Sequence, residues 1–326
     1  MPDNAEELEQ FRIRFLGSKN VIKAMFAEMR NVENDQKKAF GQGLNELKQI
    51  AEEKFNELKS KLTSNGQESS ASGLDLSLPA KPNPKGSRHP VSLVMNRIID
   101  IFEKIGFVVE EDREIEDDWH NFTAMNTPDD HPARDMQDTF YLKDSTESLL
   151  RTHTSSVQAR VMTTQKPPIR IIAPGRVYRN ETISARSHCQ FHQVEGLYID
   201  KKVSFADMKQ TLLYFAREMY GPDTRIRLRP SYFPFTEPSA EMDVYWGLET
   251  EVDYRITKGT GWLEILGCGM VDPNVLTNCG IDPKEYSGFA FGMGIERQAM
   301  LKYKISDIRL LFENDVRFLK QFSSAF

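Results

Sequence analysis

Three stretches of the chain carry side chains that could do chemistry together. In the first, IRIIAPGRVYR and FHQVEGLYI flank a polar segment, and Arg176, Arg179 and Arg186 gather around that turn. Gln193 and Glu195 stand two residues apart on the return run, so in a strand they share one face. So many polar groups in one neighbourhood exceed what a hydrophobic sheet needs. A guanidinium binds phosphate or carboxylate with a planar fork, while a Glu and a Gln can receive an amine. The set suits an anionic ligand that also carries an ammonium group.

The second stretch, FPFTEPSAEMD, places Phe233 and Phe235 at i and i+2, with Glu237, Glu241 and Asp243 following. In an extended run both rings point to one face, as core or as the wall of an aromatic slot. Glu237, between Thr and Pro near a turn, suits Mg²⁺, because hard cations take carboxylates and keep waters. The third stretch, GFAFGMGIER, reads as a strand passing through glycines into a helix. Gly292 and Gly294 would let the backbone pass close under a flat or phosphorylated ligand. Arg297 opens the helix, where the dipole prefers anions, so a cation there points to a ligand; a structural glycine turn is the competing reading. At Arg151-Thr152-His153-Thr154-Ser155, a His and several hydroxyls meet at a strand-to-helix junction, and a helix N-terminus favours an anionic group.

Other chemistries are disfavoured. His188, Cys189 and His192 lie in a segment that reads as strand, where i and i+4 are too far apart to chelate easily. Neither a Walker-type loop nor GxGxxG occurs, which argues against P-loop and Rossmann nucleotide sites. The net charge of −6 gives no global basic field for nucleic acid, although a local patch would suffice. Cys189, Cys268 and Cys279 share no metal-ligand spacing, and no signal peptide or transmembrane run is visible, which together point to the cytoplasm.

The elements that must position these groups follow from periodicity. With 326 residues, 39% of them hydrophobic, the chain can hold one large domain and a smaller module. Residues 1–62 are helical in period, with one apolar stripe through Val21, Ile22, Met25, Phe26, Met29 and Val32. A second stripe runs through Leu44, Leu47, Ala51, Phe55, Leu58 and Leu62. Breaks at Asn34-Asp35 or at Gly41 and Gly43 predict an antiparallel helical hairpin, balanced in charge. Residues 63–88, rich in Ser, Gly and Pro, read as a linker that lets the arm move.

Residues 89–326 form the large domain. An apolar helix from His89 to Ile105 stops at Gly106 and is either core or a subunit interface. A strand starts at Phe107. Residues 117–138 form a polar loop, Thr139–Leu142 and Leu149–Thr152 read as strands, and Ser155 or Ser156 caps a helix over Val157–Thr163. Ser204 caps a helix to Met219. Residues 251–270 read as a hairpin, EVDYRIT and WLEILGCGM joined by a KGTG turn, and 306–322 as one amphipathic helix. Strands linked by hairpins with few crossover helices predict an α+β fold, an antiparallel sheet flanked by helices.

Taken in this order, the three stretches resemble the signature motifs of class II aminoacyl-tRNA synthetases. More closely, the chain resembles the α subunits of bacterial phenylalanyl-tRNA synthetases. IEDDWHNFTAMN, HPARD, RTHTS, RIIAPGRVYRN, FHQVEGL, RPSYFPFTEPSAE, LEILGCGMV and GFAFGMGIER all match that pattern, over nearly the whole length. The resemblance implies the class II fold, with an N-terminal hairpin or coiled coil that reaches tRNA. It implies activation of L-phenylalanine with ATP and Mg²⁺, then esterification of the 2′-hydroxyl of the terminal adenosine of tRNA(Phe). It also implies a β-subunit partner in an (αβ)₂ tetramer, with the helix from His89 at an interface. Carried over by residue, Arg179 and Arg297 are the catalytic arginines on the triphosphate, with Glu181, Phe191 and Gly294 also at ATP. His153, Ser155, Gln193 and Glu195 ring the amino and carboxyl groups of phenylalanine, Phe233, Phe235 and Ala290 wall its ring, and Glu237 is the metal carboxylate. The rival is a non-catalytic binding or regulatory paralogue of the same fold; the presence of Arg179, Glu237 and Arg297 argues against it.

Overall fold

The computed structural model describes residues 4–67, 86–135, 138–143, 145 and 147–323. The chain divides into two compact units, Met1–Asn83 and Pro84–Phe326.

The first unit is built from α1 (Ala5–Leu16), α2 (Val21–Glu28) and α3 (Lys37–Gln67), with both short helices packed on the long one. Leu8, Ile22, Leu44 and Ala51 are buried between them. The expected two-helix hairpin is therefore three helices. Asn20 starts α2 by accepting a hydrogen bond from the Lys23 amide at 2.7 Å, which splits the first arm. Asn34-Asp35 falls at the main break, whereas Gly41 and Gly43 lie inside α3. Each glycine costs about 1 kcal/mol there, which the rest of a long amphipathic helix outweighs. The helix also runs past the expected boundary at 62, and residues 68–85 of the predicted linker lie outside the described residues.

The second unit opens with α4 (Pro90–Glu103), where Pro90 sits at the first position and His89 Nδ1 accepts from the Val91 amide at 3.2 Å. Then follow β1 (Val108–Val109), β2 (Ile115–Asp117), β3 (Ser148–Leu150), α5 (Ser155–Thr164), β4 (Ile169–Tyr178) and β5 (Gln190–Asp200). The chain continues through α6 (Phe205–Tyr220), β6 (Ile226–Phe233), β7 (Thr236–Tyr245), α7 (Glu251–Ile256) and β8 (Trp262–Val271). It ends with α8 (Pro273–Asn278), β9 (Ser287–Gly294), α9 (Ile295–Tyr303) and α10 (Val316–Leu319). Seven strands form one sheet in the order β1-β4-β5-β9-β8-β7-β6, antiparallel except where β1 meets β4. β2 and β3 pair separately. This is the α+β layout the hairpin succession predicts.

One sheet face packs against α4, α6 and α9, the other against α5 and α8. Phe102 of α4 centres the first core, stacked on Phe215 at 5.3 Å and Phe291 at 4.8 Å between centroids. Gly196 makes this possible, because a Cβ there would overlap the Phe291 ring. The main apolar face of α4 (Val94, Ile98, Ile101, Phe102) is thus filled by the chain's own core.

Four sequence expectations need correction. EVDYRI is a helix rather than a strand, because Thr250 and Asp253 form a reciprocal capping box, the Asp253 amide donating to Thr250 Oγ1 at 3.1 Å. The tail is broken into a 3₁₀ turn, α10 and a second 3₁₀ turn, since Asn314 adopts a φ of 55° and Asp307 and Asp315 each start a new turn. Ser155 and Ser156 lie inside α5, not at its cap, which is Thr154. Thr139–Leu142 makes one isolated bridge, Tyr141 to Leu149, rather than a strand. Among the described residues, no helix is long and apolar enough to cross a membrane.

Candidate active site

Register decides which side chains meet. Gln193 of β5 lies between Gly175 of β4 and Gly294 of β9, and Glu195 lies between Ala173 and Gly292. The end of β4, the start of β5 and the end of β9 therefore share one end of the sheet. Arg179 follows β4 there, Phe191 stands near the start of β5, and Arg297 lies in the first turn of α9 after Gly294. The Arg179 guanidinium sits 5.0 Å from the Phe191 ring centroid, and its Nε donates to the Thr152 carbonyl at 3.4 Å. Neither Arg179 nor Arg297 is paired with a carboxylate among the described residues, and Arg297 is exposed. Arg176 does not join them; it is exposed and paired with Glu114 at 3.0 Å.

A cavity of about 450 Å³ opens beside Arg179, within the range of small-molecule sites. Phe122, His153, Glu181, Pro234 and Phe235 line it with Arg179. Phe233 stacks on Phe235 at 6.0 Å and 10°, but of the two only Phe235 lines the cavity. Ala290 is half-buried on β9, in the same apolar cluster that Phe235 joins.

Around Glu195 lies a buried polar cluster. Glu195 is buried and accepts a hydrogen bond from the Ser155 hydroxyl and another from Gln158 Nε2 at 3.0 Å. Burial pushes its carboxyl up to about 7, against the Ser155 bond and the positive charges of Arg179 and Arg151. Burial holds His153 neutral, its pKa lowered to about 3, with Arg179 and Arg151 adding to the effect. His153 Nδ1 and Gln193 Oε1 are buried with no hydrogen-bond partner among the described residues. Buried polar atoms are rarely left so; Arg134 Nε, Thr154 Oγ1 and Ser156 Oγ share this state among the described residues.

The motif glycines have separate reasons. A Cβ on Gly292 would stand 3.0 Å from Glu195 Cγ, so this glycine makes room for the carboxylate. A Cβ on Gly294 would meet nothing within 4 Å, leaving the open space that a ligand could fill. Glu237 is exposed on β7 and does not line the cavity. It has no ion-pair partner and belongs to no metal-like cluster among the described residues. The one such cluster, Glu116, Asp117 and His120, already holds the Arg160 guanidinium, with Nη2 at 2.5 Å from Glu116. His188 and His192 serve different partners, Phe312 and Glu296, as expected for residues four apart in an extended chain.

Four contributors escaped the sequence reading. Gln158 follows Ser155 by three positions on α5, a helical spacing that could have linked them. Phe122 lies within IEDDWHNFTAMN but in no recognisable period. Arg151 is buried, donating to the carbonyls of Arg176 at 2.7 Å and Asp112 at 3.2 Å, and a Cβ on Gly175 would overlap it. Glu296 is buried, and its carboxylate accepts from the His192 amide at 2.9 Å and meets His192 Nδ1 at 2.6 Å. It caps β5 where the β9 ladder ends, a contact between residues too distant in sequence to be foreseen.

An antiparallel sheet with an arginine-edged cavity at one end is the architecture of a class II aminoacyl-tRNA synthetase. The family model described as tRNA synthetases class II core domain (F) matches residues 73–322, and that of the aminoacyl tRNA synthetase class II N-terminal domain matches residues 3–70. The solved structure of pyrrolysyl-tRNA synthetase from Desulfitobacterium hafniense shares the fold, with a TM-score of 0.51 at 15% identity over 81% of this chain and 84% of that one. The chain is 68% identical to the phenylalanine–tRNA ligase alpha subunit of Christiangramia forsetii, over 98% of this chain and 94% of that protein. It is 59% identical to that of Bacteroides thetaiotaomicron, over 99% and 95% respectively. The chain belongs to the family of phenylalanine–tRNA ligase alpha subunits.

Proposed function

We propose that this chain is the catalytic subunit of a phenylalanine–tRNA ligase. It activates L-phenylalanine with ATP to phenylalanyl-adenylate and pyrophosphate. It then passes the phenylalanyl group to the 2′-hydroxyl of the terminal adenosine of tRNA(Phe). It works with a β subunit in an (αβ)₂ tetramer. The observation that carries this reading is the aromatic cavity directly beside Arg179, with the buried Glu195 carboxyl within electrostatic reach of that arginine. Phe122, Phe233, Phe235 and Ala290 would enclose a benzyl group, and Glu195, Gln193, Ser155 and His153 would receive the ammonium and carboxylate.

The amino acid's carboxylate is already ionised, so attack on the α-phosphorus needs no general base. Orientation and charge neutralisation supply the rate. Arg179, without a carboxylate partner, stabilises the charge that develops at the α-phosphate. Arg297 holds the far end of the triphosphate, with Gly294 leaving space and Phe191 and Glu181 near the adenine. Glu237 fits a divalent cation: it is a lone exposed carboxylate, and Mg²⁺ is usually bound through one or two carboxylates, substrate phosphates and water. Bound there, Mg²⁺ would neutralise phosphate charge.

The test is phenylalanine-dependent exchange of pyrophosphate into ATP by this chain mixed with its β partner. Exchange supported by phenylalanine is the expected result. No exchange, or exchange driven equally by unrelated amino acids, would overturn the proposal.

A further inference from the structure

The loop joining β4 to β5, residues 179–189, carries Arg179 and Glu181 at its start and leads into Phe191. Its placement sets where three proposed ATP contacts stand, yet its tip is mostly exposed. Inside the loop, the Ser184 and Ser187 hydroxyls meet at 3.0 Å, and Ser187 Oγ donates to the Thr182 carbonyl at 3.0 Å. Those bonds shape the turn but tie it to nothing else.

The start of the loop is held by the Asn180 amide, which donates to the Asp138 carbonyl at 3.0 Å, and by Arg179 Nε on the Thr152 carbonyl. Two further anchors, on its far half, come from one segment after α9. The Ile308 amide donates to the Ala185 carbonyl at 3.1 Å. Four residues on, Phe312 lies flat against the His188 imidazole, with ring centres 4.0 Å apart and planes at 10°. The segment is itself fixed. Ile308 and Leu311 are buried in the main core, and Asp307 accepts from the Arg309 amide at 3.0 Å. On the loop side, His188 Nδ1 lies 3.2 Å from the Gln190 amide, which links the stacked ring to the first residue of β5.

We infer that Ile308–Phe312 is a brace for the ATP-binding loop, with His188 and Phe312 as positioning residues. This rests on the proposed function above. A stacked aromatic pair is worth a fewfold to about tenfold in an equilibrium, so losing it should loosen the loop without dismantling the site. Neither ring lines the amino-acid cavity, although Arg179 and Glu181 of the loop do, so the effect falls more on ATP than on phenylalanine.

The experiment is pyrophosphate exchange by the assembled enzyme carrying Phe312→Ala, His188→Ala, both together, or Phe312→Tyr. KM for ATP should rise roughly three- to tenfold in either alanine variant, KM for phenylalanine should stay within about twofold, and Phe312→Tyr should restore the ATP value. The double variant should be no worse than the worse single one, because both remove the same contact. His188→Ala, in the loop itself, keeps the test valid if Phe312→Ala fails to fold. An unchanged KM for ATP in an active background, a parallel rise of both KM values, or additive losses would overturn the brace. An inactive wild-type assembly would overturn the functional reading and the brace with it.

Discussion

Glu195 is the residue on which we propose that substrate recognition turns. Its carboxyl sits near 7 because burial penalises the charge more than Ser155 and the neighbouring arginines favour it. Above that pH it is ionised and can receive an ammonium group; below it the acceptor is lost. Lowering the pH cannot deprotonate the substrate's amine, so weaker binding on the acid side reports on the enzyme. KM for phenylalanine should therefore rise several-fold between pH 7.5 and about pH 6. Glu195→Gln should bind weakly at every pH with a flattened profile, which steady-state exchange across that range checks. Ala290 belongs to the same scale. Ala290→Gly removes a methyl from the wall and should admit para-chlorophenylalanine. Competition assays should show its discrimination against phenylalanine falling by about tenfold. Unchanged discrimination would move Ala290 out of the wall.

At the scale of elements, β5 is the spine. Ten of its eleven residues pair with β4 and eight with β9, so its alternation places Gln193 and Glu195 on one face. That much was legible in FHQVEGLYI, since alternation alone assigns the faces. What alternation could not give was which partner each residue meets. The Glu296–His192 contact and the Arg151–Gly175 fit arise from register between strands and helices far apart in sequence. The capping box at Thr250 was readable in principle, but the β-branched, aromatic run EVDYRIT masked it. Packing against the spine is equally specific. Gly196→Ala would drive a Cβ into the Phe291 ring, and overpacking of this kind costs about 1–3 kcal/mol. Thermal unfolding of the assembled enzyme should show a midpoint lower by a few degrees.

The whole molecule is two units, to which we assign separate tasks. The catalytic unit holds every residue proposed to touch ATP or phenylalanine. The helices of Met1–Asn83 hold none. We expect an assembly lacking residues 1–67 to keep pyrophosphate exchange within about twofold. It should lose aminoacylation of tRNA(Phe) by at least tenfold. Equal loss of both reactions would assign the helices a structural role instead. In the sequence the Ser-, Gly- and Pro-rich stretch is what suggests a division, although the long helix runs past the expected boundary to Gln67. The number of helices was harder to read, because a single Asn cap at position 20 decides it.

The central claim is that Arg179, set beside the aromatic cavity and free of carboxylate partners among the described residues, stabilises the reacting phosphate. Pyrophosphate exchange by the assembled enzyme carrying Arg179→Ala measures this directly. Exchange should fall by roughly a hundredfold or more, with the variant still folded and bound to its partner. Near-normal exchange in that variant would contradict it.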